Sequence, residues 1–587
     1  MSVDTTRVAV DHDAARVFVD WLRDFAAAME SGSVTEATAT LTKECWWRDL
    51  LALSWDLGTY HGSERITSLL DVHVRQARPT RFELDAGFEP HPIEGGVEGV
   101  FTFETTTAWC RGVARLTQVD GGWRASTVMT GMEDVKGHER ALGSRRPIGP
   151  RHVEGARSTH NWKDQRLVDV SFADREPDVV VIGAGQGGLA VAANLTLMGL
   201  DTLVLEKSER VGDGWRKRYH SLVLHDPVWA DHLPYLPFPD SWPIYSAKDK
   251  IADWFEFYAE AMELNVWTEA DMFDSSYDAG DGRWTLRIRT PHGERVVRPQ
   301  DVILATGAAA EVNLPEVPGR DRFAGVTYHS SAHTSGADWS GKKVVVIGAG
   351  NSAHDIVQDL FESGADVTLV QRSSTYIMSQ EFGIPALFGA NFVEGGPPTE
   401  YADLMASATP WPLVLEYAVE GTKATAALDA DLLASLDAVG FRRNDGPDGT
   451  GLMGYALARG GGYYIDVGCS RLIAERKVSL VQGAGLAEFT DAGVRLTDGR
   501  EIDADLVVLA TGYKNMRETA RRLFGDEVAD RCPPVLGIDE DGEISGLYRR
   551  TGAPGFWFMA GPLAWVRIYS KHLALQITAR QKGVVPR

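Results

Sequence analysis

Between Ala14 and Met29, apolar side chains return at Val17, Phe18, Trp21, Leu22, Phe25 and Met29, which places them on one face of an amphipathic helix. A second apolar segment runs from Cys45 to Leu53, and the pattern predicts another helix over Ser63–Gln76. The period then drops to two. Phe82–Phe88, Val97–Thr106, Trp109–Val119 and Trp123–Met129 read as strands, with Asp120-Gly121-Gly122 turning the last two into a hairpin. Helices followed by an antiparallel meander predict an α+β domain over residues 1–136. Residues 137–176, rich in Arg, His, Gly, Pro and Ser and without sustained periodicity, read as an extended linker.

Beyond the linker, β-branched runs alternate with helical stretches: Val179–Ile182, Thr202–Leu205, Val302–Ala305, Val344–Ile347, Val367–Val370 and Leu506–Ala510. This is the signature of parallel sheets joined by crossover helices. The predicted fold class is therefore α/β, with two Rossmann-like dinucleotide-binding domains behind an α+β domain. Residues 177–330 and 481–587 are assigned to the first dinucleotide domain and 331–480 to the second. Within the second, about 376–462 breaks the alternation with Pro385, Pro397, Pro398, Trp411, Pro412 and Gly460-Gly461-Gly462, and reads as a cap over an organic substrate.

Composition narrows the function. The 587 residues carry a formal charge of −23, which repels a phosphate backbone or an anionic lipid surface, so no nucleic-acid or membrane partner is expected. Asp4, Arg7, Asp11 and Asp13 stand where a signal peptide needs apolar residues, and no apolar run reaches the ~18 residues of a membrane span, so a cytoplasmic location is expected. Cys45, Cys110, Cys469 and Cys532 form no Cys-x-x-Cys, and the 15 histidines form no His-Glu-x-x-His, so neither a redox dithiol nor a metal site is predicted. Seven of the 17 tryptophans precede residue 166, which marks that stretch as compositionally distinct.

Two glycine loops carry the chemistry. Val180-Val181-Ile182-Gly183-Ala184-Gly185-Gln186-Gly187-Gly188 follows a strand and opens a helix predicted over Leu189–Met198. Its first glycine permits the turn, the second lets the backbone approach a pyrophosphate, and Gly188 lets helix pack on strand. Glu206 lies 23 residues after Gly183, where a carboxylate accepts from a ribose 2′-hydroxyl and repels a 2′-phosphate, implying FAD or NAD. The second loop, Val345-Val346-Ile347-Gly348-Ala349-Gly350-Asn351-Ser352-Ala353, leads to a helix over His354–Phe361. Its second strand ends in Gln371-Arg372-Ser373-Ser374, and Arg372 with Ser373 suits a 2′-phosphate, implying NADP. Asn351 and Ser352 at the helix start would bind pyrophosphate or cap the helix.

Several segments add a family resemblance. Gly212-Asp213-Gly214-Trp215-Arg216-Lys217-Arg218-Tyr219-His220-Ser221-Leu222-Val223-Leu224-His225-Asp226-Pro227 resembles the stretch that lines the flavin in class B flavin monooxygenases, a family that includes the auxin-synthesis type. Phe323-Ala324-Gly325-Val326-Thr327-Tyr328-His329-Ser330-Ser331-Ala332-His333 is similar to that family's fingerprint before the NADP loop. His333 departs from it: the last position is tryptophan in Baeyer–Villiger members and tyrosine or phenylalanine in heteroatom-oxygenating ones. Leu304-Ala305-Thr306-Gly307 and Leu509-Ala510-Thr511-Gly512 resemble the turns beside the flavin, and Phe558-Met559-Ala560-Gly561-Pro562 resembles the return to the FAD domain. The first domain resembles an NTF2-like (SnoaL-like) cone.

The resemblance implies an FAD enzyme that NADPH reduces, that takes up O2 at the flavin C4a carbon as a hydroperoxide, and that passes one oxygen atom to a small organic substrate at nitrogen, sulfur or a carbonyl carbon. It implies that Gly183, Gly185, Gln186, Gly188, Glu206, Lys207, Gly214, Trp215, Arg216, His225, Thr306, Gly307 and Gly561 serve FAD. Gly348, Gly350, Asn351, Ser352, Arg372, Ser373, Thr511 and Gly512 complete the cofactor set, with Asn351 and His329 nearest the catalytic event and His329 in a positional role. The N-terminal domain would mediate homo-oligomerisation or shield the active-site entrance. An NADPH oxidase or flavin reductase, or a nucleotide-sensing binding protein, would share the same loops.

Overall fold

A computed structural model describes residues 12–149 and 161–585. Asp4, Arg7 and Asp11, and the middle of the predicted linker, lie outside the described residues.

Helix His12–Ser31 buries Phe18, Trp21 and Phe25 against a seven-stranded sheet. Trp21 stacks on Phe25 at 4.9 Å, and Phe25 meets Phe101 and Phe82 edge-on, so Trp21 serves an aromatic core, while Trp109 and Trp162 are exposed. The sheet runs in the order Leu57–His61, Leu41–Leu50, Gly122–Val135, Ala108–Val119, Gly96–Glu104 and Thr80–Leu84, with His91–Ile93 added to Gly96–Glu104. Val119 pairs with Gly122 across the two-residue loop Asp120-Gly121, whose φ values of 51° and 78° give the twist a tight hairpin needs. The apolar segment after Cys45 belongs to a strand, Leu41–Leu50. The linker reading is corrected in part: Trp162–Ser171 is a helix, fixed by a capping box between Asn161 and Asp164.

Two five-stranded, wholly parallel sheets follow. The first runs Asn265–Trp267, Thr202–Leu205, Val179–Ile182, Asp301–Leu304, Phe556–Phe558. The second runs Val326–His329, Leu506–Leu509, Lys343–Ile347, Asp366–Gln371, Ser479–Gln482. The central strands Val179–Ile182, Thr202–Leu205, Asp301–Leu304 and Leu506–Leu509 are buried end to end, which is why they read as unbroken apolar runs. The topology corrects the partition at 330 and 480: Val326–His329 and Leu506–Leu509 both pair within the second sheet, and only Phe556–Phe558 returns to the first. The predicted insertion is closed at its base by the parallel pair Tyr376–Ser379 and Tyr463–Asp466, with helices between.

The C-terminal helix Leu563–Gln581 lies along the first nucleotide helix, Gln186–Leu197, where Asn194 Nδ2 donates to Ser570 Oγ at 3.1 Å. The N-terminal sheet turns its other face to this helix and to Thr399–Ala408 of the insertion: Lys571 Nζ meets Glu133 at 2.8 Å, and Arg111 meets Glu400 at 2.7 Å. Among the described residues no helix is long and apolar enough to cross a membrane.

All four cysteines are free and buried, and burial holds each thiol above its ordinary pKa. The folded protein is therefore expected to resist thiol-directed reagents and to react at four sites only after denaturation. A thiol that titrates rapidly in the folded state would contradict this.

Candidate active site

The two glycine loops are built alike. Gly183 has φ 109°, and a Cβ there would stand 2.7 Å from the Ala305 carbonyl oxygen; Gly348 has φ 124°, and a Cβ would stand 2.3 Å from that of Ala510. Each turn glycine thus presses on the alanine of the Ala-Thr-Gly turn that ends a neighbouring strand. A Cβ on Gly188 would stand 1.9 Å from the Gly183 carbonyl oxygen, so helix and strand pack backbone to backbone. In the second loop Ala353 takes this place, almost fully buried. The helices begin at Gln186 and Asn351, each capped by the preceding glycine and three residues earlier than the apolar pattern predicts.

Glu206 stands directly after strand Thr202–Leu205. Its Oε2 accepts from Ala184 N at 3.0 Å and its Oε1 from Ser208 N at 2.8 Å, so the carboxylate is fixed at the loop and each oxygen keeps a lone pair for a further donor. Above the helix start the space is open, since a Cβ on Gly185 would meet nothing within 4 Å. Thr306 Oγ1, in the adjacent turn, is buried without a hydrogen-bond partner. Gly307 beside it has φ 84°. An open cradle and an orphaned hydroxyl at one loop fit a bound dinucleotide.

Gln186 bridges two further predicted residues: its Nε2 donates to Gly561 O at 3.3 Å, and its Oε1 accepts from Trp215 Nε1 at 3.4 Å. Gln186 and Trp215 open onto a cavity of about 110 Å³ that His225, Asp226, Asp231 and Pro562 also line. Gly214 is exposed next to Trp215. Two predicted residues are not brought to the loop. Arg216 points instead into an ion network, with Asp213 at 3.0 Å, Asp253 at 2.8 Å and Glu256 at 2.9 Å, because helix Lys248–Ala261 presents its acids there. Lys207 is exposed beside Glu206.

At the second loop, capping by Asn351 is corrected. Gly350 is the cap, and Asn351 Oδ1 accepts from Ile465 N at 2.9 Å, pinning the strand that closes the insertion to the nucleotide helix. Ser352 follows it, half-buried. The Thr511 hydroxyl donates to Asn313 O at 2.6 Å, so it is already committed. His329 Nε2 donates to Gly512 O at 3.0 Å while Nδ1 accepts from Ser331 N at 3.1 Å; both nitrogens are engaged and burial lowers the imidazole pKa. This is the geometry of a positioning residue. Arg372 and Ser373 are exposed just past strand Asp366–Gln371.

The structure also accounts for His333. It is buried, with Nε2 2.7 Å from Asp359 Oδ2 on the second nucleotide helix and Nδ1 3.1 Å from the Tyr328 hydroxyl. It ties the end of strand Val326–His329 to that helix rather than facing the cavity. Sequence reasoning missed Asp359, 26 residues away, and it missed Asp226 and Asp231, whose carboxyls burial raises above the usual range and whose only signal was proximity to His225.

Two dinucleotide seats on adjoining parallel sheets define a flavin- and nicotinamide-dependent oxidoreductase. The family described as pyridine nucleotide-disulphide oxidoreductase matches residues 180–381. Indole-3-pyruvate monooxygenase YUCCA1 of Oryza sativa subsp. japonica is 34% identical over 340 residues, covering 58% of this chain and 77% of that protein. The probable indole-3-pyruvate monooxygenase YUCCA1 of Arabidopsis thaliana is 31% identical over 339 residues, covering 57% and 75%. Two solved structures share the fold. Cyclohexanone monooxygenase with bound ε-caprolactone is 19% identical, covers 69% of this chain and 88% of its own, and has a TM-score of 0.51. OTEMO in complex with FAD and NADP is 20% identical, covers 70% and 86%, and has the same TM-score. The chain belongs to the flavin monooxygenase family. It is an FAD-dependent NADPH monooxygenase.

Proposed function

We propose that the Gly183–Gly188 loop, Glu206 and the Trp215–Asp226 segment seat FAD, that the Gly348–Ala353 loop and Arg372 seat NADPH, and that an organic substrate meets them at the cavity beside Trp215. The observation that carries this reading is the pair of equivalent loops followed by opposite charges, Glu206 after one and Arg372 after the other. When bound, the two cofactors supply hydride transfer and oxygen activation. Glu206 receives a ribose hydroxyl and rejects a 2′-phosphate; Arg372 does the reverse. Trp215, Leu563 and Pro562 give the cavity an apolar wall that limits water, and His329 and Asn351 hold the Gly512 turn and the insertion strand against the second loop. Replacing Arg372 by alanine is expected to raise KM for NADPH roughly tenfold or more and KM for NADH little, read in steady-state kinetics.

The cavity also limits the substrate. Asp226 and Asp231 line it, no lysine or arginine does, and the nearby Arg567 spends its donors on Asp403 at 2.7 and 2.6 Å and on the carbonyls of Ala230 and His232. A substrate carboxylate would meet no cation there, and burial, which raises the carboxyls of Asp226 and Asp231, penalises any charge brought into the same space, so the site favours uncharged molecules such as ketones, sulfides and neutral amines over a 2-oxo acid like that named for the plant relatives. Mass spectrometry of products formed under isotopically labelled O2, across matched members of these four classes, tests it. Label in a 2-oxo acid alone overturns the charge argument. Label in none, with NADPH-dependent peroxide release, returns the oxidase reading.

We further propose that the N-terminal domain braces the insertion. The sheet face turned away from its own helices is occupied by Thr399–Ala408 and the C-terminal helix, which favours bracing over oligomerisation through that face.

A further inference from the structure

We infer that Arg442 is a second arginine of the 2′-phosphate seat, closing a two-guanidinium clamp with Arg372. The inference rests on the reading of Arg372 given above. Arg442 lies 70 positions from Arg372, in the insertion, yet its backbone is fastened to the last residue of the strand that carries Arg372: Arg442 N donates to Gln371 Oε1 at 3.0 Å, and Gln371 Nε2 donates to Arg442 O at 2.9 Å. Gln371 is fully buried, so its end of this pair of hydrogen bonds is shielded from water.

The two side chains then run over one turn. Gln371 pairs with Gln482 at the end of the neighbouring strand, and Gly483 N donates to Gln371 O at 2.8 Å. A Cβ on Gly483 would stand 2.7 Å from both terminal nitrogens of Arg442, and a Cβ on Gly485 would stand 3.2 Å from Arg372 Cδ. Glycine at both positions lets the arginines lie down on the turn from either side.

The surrounding charges leave this pair uncompensated. Arg443 is paired with Asp437 at 2.6 Å and Arg500 with Asp498 at 2.6 Å, while among the described residues neither Arg372 nor Arg442 has an acidic partner within 4.0 Å. Two guanidiniums held over one turn with no acid between them repel each other. A dianionic phosphate monoester is the ligand that relieves the repulsion, since it can take one planar fork on each side. The place, at the carboxyl end of the second strand of the nucleotide unit, is where the adenosine ribose of a dinucleotide lies.

The test uses the full-length, FAD-loaded protein and calorimetric titration with 2′,5′-ADP and 5′-AMP, which differ by the phosphate in question. R372A and R442A are each expected to weaken 2′,5′-ADP roughly 10- to 100-fold, the range of a charge-assisted hydrogen bond, with 5′-AMP within about twofold. R442K should recover part of the loss, because lysine restores charge without the fork. If R372A weakens 2′,5′-ADP and R442A does not, the clamp is wrong and the Arg372 reading stands. If neither does, both fall. Equal weakening of the two nucleotides by R442A would place Arg442 against the base and also overturn the clamp.

Discussion

Gly188→Ala protein should purify nearly colourless. The added methyl would lie 1.9 Å from the Gly183 carbonyl oxygen, and both partners are backbone, so no side-chain rotation relieves the overlap. Helix Gln186–Leu197 must move off strand Val179–Ile182, which carries its amide groups away from the pyrophosphate position and breaks the register of Glu206 with Ala184. We expect FAD affinity to fall by a factor of at least about one hundred and stability by about 1–3 kcal/mol, the cost of overpacking a tight contact. Gly185→Ala separates the two effects. Its methyl meets no atom within 4 Å and its φ of −80° suits alanine, so the unfolding transition should stay within about 0.5 kcal/mol while FAD affinity still falls, because the methyl enters the space a phosphate needs. Flavin absorbance per chain and FAD titration of the apoprotein measure both. A Gly185→Ala protein that binds FAD as tightly as wild type would show that the pyrophosphate lies elsewhere.

That contrast also explains which features the sequence made visible. The loops were legible because their causes are local: turn glycines at fixed offsets, bounded by strands buried on both faces, so that Val179–Ile182 and Thr202–Leu205 fall on the predicted residues. The Asp120-Gly121 hairpin was legible for the same reason. Leu41–Leu50 hid its type because Trp47, Arg48, Asp49 and Leu50 are all buried, one face under helices and the other against the flavin-binding part, which erases the alternation a half-exposed strand would show. The helix Trp162–Ser171 buries none of its residues, so it shows no apolar stripe, although Asn161 and Asp164 stood at capping-box spacing. Asp359 opposite His333 and Arg442 beside Gln371 are products of tertiary contact and leave no mark at any sequence period. The domain partition failed at Val326–His329 and Leu506–Leu509 because parallel strands carry no sign of which sheet they join.

Removing Glu543 should be among the most destabilising single changes in the chain. Arg48 is fully buried on the N-terminal sheet, its Nε and Nη2 donating to the two carboxylate oxygens of Glu543 at 2.8 and 2.5 Å, with further bonds to Ser407 O at 2.8 Å and the Tyr569 hydroxyl at 2.9 Å. One guanidinium therefore joins the N-terminal domain to the insertion, the C-terminal helix and the segment before Phe556–Phe558. Glu543→Ala leaves that charge in a dry interface, and we expect a loss of about 3–5 kcal/mol, whereas replacing both partners by Arg48→Met with Glu543→Leu should recover most of it. Chemical denaturation of wild type, both single variants and the double variant gives the coupling directly. Because the bond to Ser407 reaches helix Thr399–Ala408, Arg48→Met should also raise the substrate KM while leaving FAD content unchanged. This follows if the insertion covers the cleft and the N-terminal domain holds it there. A Glu543→Ala protein as stable as wild type would mean the interface admits water to Arg48, and the domain would then be tethered rather than docked.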